Sequence, residues 1–283
     1  VGVVSAGGRP ALLLPLEIVL LHGVRVARYI GGTHANANFP LIDRNNGLAI
    51  SPAAVRDLLD SLKQHPTRPD AVLLTRQCTS LCGIENPLLG MSSTESPNIA
   101  LSFVIDSDFE NLIKHRSGER KLKKMRQQSR RMDDRGGWAA LTARDPMLAH
   151  TFMDEFFVMK AKRFEEFGQR NTFDDPKIMQ FFRTLFADAS HRPNPPFVLD
   201  ALKVGDELFA VSGSTIRHGT KTVEFGAVRA HEPMLSPGDF LYHELIKQAC
   251  DDGFKAFDFG VGDEPYKRSW CDVETKHADS MKA

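Results

Sequence analysis

The apolar and polar positions of the chain follow two periods, one typical of helices and one typical of strands. In its second half the pattern predicts a strand at 138–142, helices at 145–167 and 175–189, strands at 197–204, 208–217 and 221–230, a helix at 237–250 and a strand at 254–259. The turns Gly205-Asp206 and His218-Gly219 join the three middle strands, so we expect those strands to be antiparallel. The order of elements indicates a layered α+β domain.

The first hundred residues have a different, β-rich pattern. Strands are predicted at 1–4, 11–19, 24–30 and 71–75, and the segment 78–97 is expected to be irregular. One helix is predicted from Ser51-Pro52, because Ser is a good N-cap and Pro suits the first helical position.

A basic segment lies between the two halves. Its pattern is helical over 106–132, with a break at Ser117-Gly118, and residues 114–135 hold ten Lys or Arg against three acids. Such a charge run is typical of a solvated helix face, and it also suits contact with a polyanion such as a nucleotide tail, tRNA, an anionic polymer or a membrane surface. No aromatic residue interrupts residues 114–135, so stacking on bases is not indicated.

Composition places the chain among globular proteins. Of its 283 residues 42% are hydrophobic and the formal net charge is zero, so no overall field directs it to nucleic acid. No apolar run reaches the ~18 residues of a membrane span, and its four cysteines have no zinc-like spacing. We expect a cytoplasmic protein with reduced thiols and no metal, and we expect that further residues precede Val1, which lies within strand-like sequence.

The stretch from Phe225 to Trp270 carries the candidate chemistry. It reads as a strand, the turn Ser236-Pro237-Gly238-Asp239, a helix, and a buried strand that runs into a loop with acids, a Tyr and a Lys. A Gly-containing turn at a helix start leaves backbone N–H groups free, and the helix dipole favours negative charge there. This turn is therefore a candidate anion site. Motifs of serine hydrolases, P-loop proteins and dinucleotide-binding proteins are missing from the sequence.

The sequence SPGDFLYHELIKQACDDGFKAFDFGVGDEPYKRSW resembles the C-terminal acetyltransferase module of CelD-type proteins, which take part in bacterial cellulose and exopolysaccharide synthesis. Those proteins belong to the GNAT superfamily, and the Fem-type aminoacyltransferases are a more distant likeness. The close resemblance covers residues 235–270, and a looser one extends back to about residue 116.

The resemblance implies a GNAT fold, with a central mixed, mainly antiparallel sheet flanked by helices. It suggests tandem GNAT-like halves: a partial half at 1–105, a basic helical connector at 106–136 and an acyltransferase domain at 137–283. An acyl-CoA, such as acetyl-CoA, would lie along the end of the fourth strand and at the start of the next helix. The residues implied for donor binding are Ala227, Val228, Ser236, Gly238, Asp239, Phe240 and Leu241.

Three residues after the turn are candidates for catalysis. Asp258 alternates with two Phe residues, so its side chain faces away from theirs and is a candidate base, or else a structural cap. Tyr266 is a candidate proton donor to the leaving sulfur, or packs under the sheet. Lys267 is a candidate for orienting a phosphate or carboxylate, or is a surface residue. His231 and His243 are weaker candidates.

These inferences predict an acyl-CoA-dependent N-acyltransferase that acts on an amine-bearing sugar or another cell-envelope or exopolysaccharide precursor. Two alternatives stay open. One is a non-catalytic accessory protein of polysaccharide synthesis that keeps the fold. The other is Fem-like transfer from aminoacyl-tRNA, for which the basic helix is suited.

Overall fold

The structure is a computed structural model that describes residues 1–45, 50–116, 118–230 and 234–282. The chain divides into two compact units. The first consists of residues 1–100 together with the segment that begins at Glu274, and the second consists of residues 101–273. The predicted domain boundaries after residues 105 and 136 stay predictions. The basic segment 106–136 lies within the second unit.

The first unit holds most of the strands and one α-helix. Its elements are β1 (Gly2–Ala6), β2 (Arg9–Leu14), β3 (Leu16–Leu21), β4 (Val24–Tyr29), β5 (Leu41–Ile42), α1 (Pro52–Ser61), β6 (Ala71–Cys78), β7 (Ser80–Leu81), β8 (Ile84–Glu85) and the first part of β9 (Ser93–Val104), whose last four residues belong to the second unit. Helix α1 begins as the sequence predicts: the Ser51 hydroxyl accepts a hydrogen bond from the Ala54 N–H at 3.1 Å, and Pro52 follows it. Val55, Leu58 and Leu59 form the buried face of this helix.

The segment predicted to be irregular, 78–97, is more ordered than its composition indicates. It contains the short hairpin β7–β8, a 3₁₀ turn at Pro87–Gly90 and the first part of the long strand β9. The Asn86 side chain accepts from the Leu88 N–H at 3.0 Å and donates to Cys78 O at 3.0 Å, so a buried amide stabilises the segment in place of an apolar pattern.

The second unit carries the predicted α+β order. Its elements are α2 (Phe109–Lys114), α3 (Gly118–Asp133), β10 (Trp138–Thr142), α4 (Pro146–Glu166), α5 (Pro176–Ser190), β11 (Phe197–Val204), β12 (Glu207–Arg217), β13 (Thr220–Val228), α6 (Pro237–Asp251), β14 (Ala256–Val261) and α7 (Pro265–Arg268). The strands lie in the order β10-β11-β12-β13-β14, of which the last pair is parallel and the others antiparallel. The predicted mixed, mainly antiparallel sheet flanked by helices is confirmed.

Helices cover both faces of this sheet. Helices α4 and α5 contribute Phe152, Phe156 and Phe186 to one apolar cluster, which includes Leu199 of β11. Helices α2, α3 and α6 contribute to a second cluster around Leu202 of the same strand. Neighbouring apolar positions of β11 therefore face opposite layers, as the alternation of a strand requires.

A last strand, β15 (Val273–Lys282), returns to the first unit and pairs antiparallel with β6. It was not predicted, because most of its side chains are polar and no apolar period marks it. Among the described residues, no helix has both the length and the apolar character that a membrane crossing needs.

Candidate active site

The candidate anion site lies at the start of α6, where the structure leaves backbone donors free of helical bonds. The first intrahelical bond runs from Phe240 N to Ser236 O at 3.0 Å, so the N–H groups of Gly238 and Asp239 precede it. Pro237 has no N–H, and the Ser236 side chain does not cap the helix. Within the part of the chain that the structure describes, neither of these two adjacent N–H groups has a hydrogen-bond partner, so both are available to a ligand at the positive end of the helix dipole.

Helix α3 fixes the segment that leads into α6. The buried Gln128 side chain accepts a hydrogen bond from Ser236 N at 2.8 Å and donates to Met234 O at 3.4 Å. The Arg131 guanidinium donates to the same carbonyl oxygen at 2.6 Å. Helix α3 therefore holds the turn Ser236–Asp239, the candidate donor turn, directly. The Ser236 N–H already has a hydrogen-bond acceptor within the protein and is not available to a ligand.

The acid at the start of α6 has a partner on the same basic helix. Asp239 forms an ion pair with Lys124, whose ammonium group donates to its carboxylate. The negative charge that Asp239 brings to the candidate phosphate position is therefore compensated within the protein.

The strands β13 and β14 separate beside this turn. They are paired only between Thr220–Thr222 and Ala256–Asp258, whereas β13 continues to Val228 and β14 to Val261. Gly226 lies in the separated part of β13, and a Cβ atom there would lie 2.6 Å from the hydroxyl oxygen of Tyr242. The missing side chain thus leaves room for a phenol of α6 at the opening between the strands.

A cavity of about 500 Å³ occupies this opening, which is within the usual size range of small-molecule sites. Its lining residues are Lys160, Arg163, Ala210, Val211, Gly226, Ala227, Val228, Arg229, Leu235, Ser236, Pro237, Gly238, Asp239, Leu241, Tyr242, Glu264 and Tyr266. Every residue predicted for donor binding lines the cavity except Phe240, which is buried in the core and packs edge-to-face against Trp138.

Two phenols stand together in the cavity. The rings of Tyr242 and Tyr266 are parallel within 3°, with their centroids 5.7 Å apart. Burial raises the pKa of Tyr242 to about 12, and burial together with the neighbouring Tyr242 raises the pKa of Tyr266 as well. Both groups therefore keep their protons near neutral pH and can act as hydrogen-bond donors.

The other two predicted catalytic residues do not line the cavity. The Asp258 carboxylate accepts a hydrogen bond from the Gly260 N–H at 2.7 Å. The buried Lys267 ammonium donates to Val261 O at 2.7 Å and pairs with the Glu264 carboxylate at 2.9 Å. Lys267 thus binds a carboxylate of its own chain, and by that contact it orients Glu264, which does line the cavity.

Of the two histidines that were weaker candidates, His231 and His243, the structure describes only His243. His231 lies outside the described residues. His243 is a core residue: its ring packs edge-to-face on Phe109 with centroids 5.0 Å apart, and burial lowers its pKa to about 4.

Sequence reasoning missed Tyr242, Gly226 and the two cations of α4, Lys160 and Arg163. One signal could have found Tyr242, because it lies four residues after Gly238 and so shares its helix face. No local signal identifies Lys160 and Arg163, because their position at the cavity depends on how helix α4 packs against the sheet.

The fold agrees with a comparison of the sequence with known families. The family described as acetyltransferase (GNAT) domain matches residues 119–268, which is more than half of the chain. The protein therefore belongs to the GNAT acetyltransferase family. This match identifies the family but not the CelD type within it, so membership of the CelD type stays a prediction.

Solved structures share the fold over nearly the whole chain. FemX has a TM-score of 0.59 at 11% identity, and the match covers 98% of this chain and 86% of FemX. L-PGS from Bacillus licheniformis has a TM-score of 0.59 at 11% identity, with 93% of this chain and 79% of that chain covered. A C-terminal domain attributed to a lysylphosphatidylglycerol synthetase of Agrobacterium fabrum has a TM-score of 0.58 at 11% identity, with 94% and 83% covered. No curated protein sequence matches this chain significantly.

Proposed function

We propose that this GNAT domain transfers an acyl group from coenzyme A to an amine. The observation that carries the proposal is the cavity where β13 and β14 separate, beside the free N–H groups of Gly238 and Asp239. The pyrophosphate of the donor would accept from those N–H groups, and the pantetheine arm would lie along Ala227 and Val228. The sequence resemblance supports the same placement.

The two phenols supply a proton donor in this arrangement. The amine attacks the thioester carbonyl, the C–N bond forms, and the C–S bond breaks with the electron pair on sulfur. The Tyr266 phenol, which carries its proton at neutral pH, would protonate the leaving thiolate. Phenol and thioester would thus meet at the opening between β13 and β14.

The nitrogen must also lose a proton, and a carboxylate suits that step. The predicted role of Asp258 as base stays a prediction. Two acids line the cavity and both are ion-paired, but Asp239 lies at the turn proposed for the donor pyrophosphate, whereas Glu264 lies two residues before Tyr266. We therefore assign the base to Glu264, with Lys267 as the residue that orients it.

The acceptor we propose is an amine-bearing sugar or another cell-envelope or exopolysaccharide precursor, in line with the resemblance to CelD-type proteins. The test is calorimetric titration with acetyl-CoA, followed by mass spectrometry of reactions with a set of amino sugars. Binding of acetyl-CoA and an acetylated product support the proposal. Acetyl-CoA binding without any product would favour the non-catalytic accessory protein, and no binding of acetyl-CoA would overturn the donor assignment.

A variant separates chemistry from binding. Tyr266→Phe keeps the ring and its stacking on Tyr242 but removes the proton. We expect turnover to fall by ~10²-fold or more, the usual size of a general-acid contribution, with acetyl-CoA affinity unchanged. Full turnover in this variant would remove Tyr266 from the mechanism.

Aminoacyl transfer from tRNA is a second candidate, and one observation favours it. Arg120, Lys123, Arg126 and Arg130 are exposed on α3, the helix that supports the donor turn through Gln128. A polyanion on this face would therefore be close to the site. Binding of tRNA that weakens steeply between low and moderate salt would support this candidate, because phosphate contacts release counterions.

A further inference from the structure

The charged groups around the cavity are not equally compensated. Arg229 pairs with Glu207 at 3.2 Å, and Glu264 pairs with Lys267 at 2.9 Å. The carboxylate of Asp239 is neutralised in the same way, by Lys124. Two cationic side chains on the lining remain.

Those two cations are Lys160 and Arg163 of α4. Among the described residues neither has an acidic partner within ion-pair distance. Aromatic rings hold them instead: the Arg163 guanidinium lies 4.8 Å from the centroid of Phe167, and the Lys160 ammonium lies 5.9 Å from the centroid of Phe164. A neutral ring leaves the charge of the cation unbalanced, whereas a carboxylate partner makes the pair neutral overall.

Lys160 and Arg163 also link two cavities. Besides the 500 Å³ cavity they line an adjoining one of about 290 Å³, together with Phe164, Phe167 and Gln169. The side chain of Phe167 is 60% exposed, so an apolar ring stands open beside the two cations. The second cavity holds no residue of the α6 turn, which sets it apart from the proposed position of the donor pyrophosphate.

We propose that this adjoining cavity, formed by α4 and the residues just after it, binds the phosphate group of a phosphorylated amino sugar, which is the acceptor. The inference rests on the proposed N-acyltransferase function. Arg donates two parallel N–H bonds to a phosphate and Lys adds a point charge, so two uncompensated cations suit a dianionic phosphate better than a single carboxylate. Phe167 offers an apolar face for the sugar ring.

The volume of the adjoining cavity and the partial desolvation of Lys160 both suit a small anionic ligand. A cavity of about 290 Å³ lies at the lower end of ligand sites, which suits a monosaccharide phosphate better than a nucleotide-linked sugar. Burial, followed by repulsion from Arg163, lowers the pKa of Lys160. A bound phosphate would stabilise the charged form of this partly desolvated ammonium.

The test is calorimetric binding, without donor, of glucosamine 6-phosphate, glucosamine 1-phosphate and glucosamine to the full chain. We expect at least one phosphate ester to bind about 10-fold or more tightly than glucosamine, in proportion to the added charge-assisted bonds. The two esters distinguish which sugar position carries the phosphate. Equal binding of all three sugars, or no binding of any, would overturn the inference.

Variants assign the binding to the two cations. Lys160→Gln and Arg163→Gln should each reduce the preference for the phosphate ester, and Arg163→Lys should retain part of it. Lys162→Gln is the matched control, since Lys162 is exposed on the same helix and does not line either cavity. If these variants weaken acetyl-CoA and leave the sugar phosphates unaffected, the cations serve the donor and the inference fails.

Acyl transfer separates this inference from the proposed function. A chain that binds the phosphate ester but acetylates no amine refutes the proposed function and the role of the ester as acceptor, and leaves the phosphate-binding cavity itself in place. A chain that acetylates glucosamine and its phosphates with equal KM refutes the phosphate subsite alone.

Discussion

The Cα of Gly226 and the hydroxyl of Tyr242 lie so close that no side chain fits between them: a Cβ at residue 226 would be 2.6 Å from the phenol oxygen. Gly226 is on β13 where that strand has left β14, and Tyr242 is on the helix that begins at the donor turn. The contact therefore couples the opening of the sheet to the helix that would hold the donor.

This relationship predicts the effect of Gly226→Ala. The methyl group meets the far end of a side chain, so Tyr242 must turn away while the fold persists. We expect acyl-transfer turnover to fall by ~10-fold or more, since small displacements at a reacting centre have large effects. The measurement is steady-state kinetics with a thermal melt. Gly90→Ala is the control, because nothing lies within 4 Å of a Cβ there; unchanged turnover in Gly226→Ala would show that the position of Tyr242 is unimportant.

The second prediction concerns the helix that supports the donor turn. Gln128→Ala leaves the half-buried Ser236 N–H without its acceptor, which should cost about 1 kcal/mol of stability, the lower end for an unsatisfied donor. Because Ser236 starts the turn, KM for the donor should rise more than kcat falls. Gln127→Ala is the matched control, since Gln127 is the exposed neighbour on α3. Equal donor KM in the two variants would contradict a positioning role for Gln128.

The third prediction distinguishes two carboxylates. Glu264→Gln and Asp258→Asn both keep shape and remove the ability to take a proton. If Glu264 is the base, its variant should lose ~10²-fold in turnover, whereas Asp258→Asn should chiefly weaken its bond to the Gly260 N–H and lower thermal stability. The opposite result, with turnover lost in Asp258→Asn and retained in Glu264→Gln, would identify Asp258 as the base.

The sequence allowed the elements between residues 138 and 261 to be predicted to within two residues at each end. Helix α4 was expected at 145–167 and spans Pro146–Glu166, because Asp145 caps it and apolar residues recur at helical spacing. Strand β9 was not predicted, and over its first residues Pro97 and polar side chains hide the strand pattern. Strand β15 was missed because it is defined by pairing with β6, about two hundred residues away, and not by its own composition.

In the candidate site too, the residues marked by a local sequence pattern were predicted, and those placed by tertiary packing were not. Gly238 and Asp239 were predicted because a turn before a helix is visible in the sequence. Lys160 and Arg163 were not, because charged residues on a helix look solvated until the packing of α4 against the sheet places them at a cavity. Likewise the partner of Asp239 lies 115 residues earlier, on α3.

The fourth prediction concerns stability at acid pH. Burial lowers the pKa of His243 to about 4 in the folded protein, below the value of about 6.5 in the unfolded chain. The folded state therefore disfavours the proton: this contribution to stability is complete above pH ~6.5 and is lost as the pH falls toward ~4. Its size is on the order of 3 kcal/mol. Denaturant unfolding between pH 7 and 4 should show a smaller loss in His243→Phe, and an equal loss in both proteins would exclude His243 as its source.

The last prediction concerns three lysines of α3 that the sequence presents as equivalent. The Lys121 ammonium lies 3.7 Å from the centroid of Trp270, and Lys124 pairs with Asp239, whereas Lys123 is exposed. Lys123→Gln should therefore leave melting temperature and donor affinity unchanged. Lys121→Gln should cost about 1 kcal/mol of stability, the size of a partly desolvated cation–π contact. Lys124→Gln should weaken acetyl-CoA with little effect on stability, because it leaves the Asp239 carboxylate uncompensated beside the donor phosphates. Single variants, each with a thermal melt and a calorimetric titration with acetyl-CoA, separate these effects. Identical behaviour of all three would show that the lysines are equivalent members of a solvated helix face.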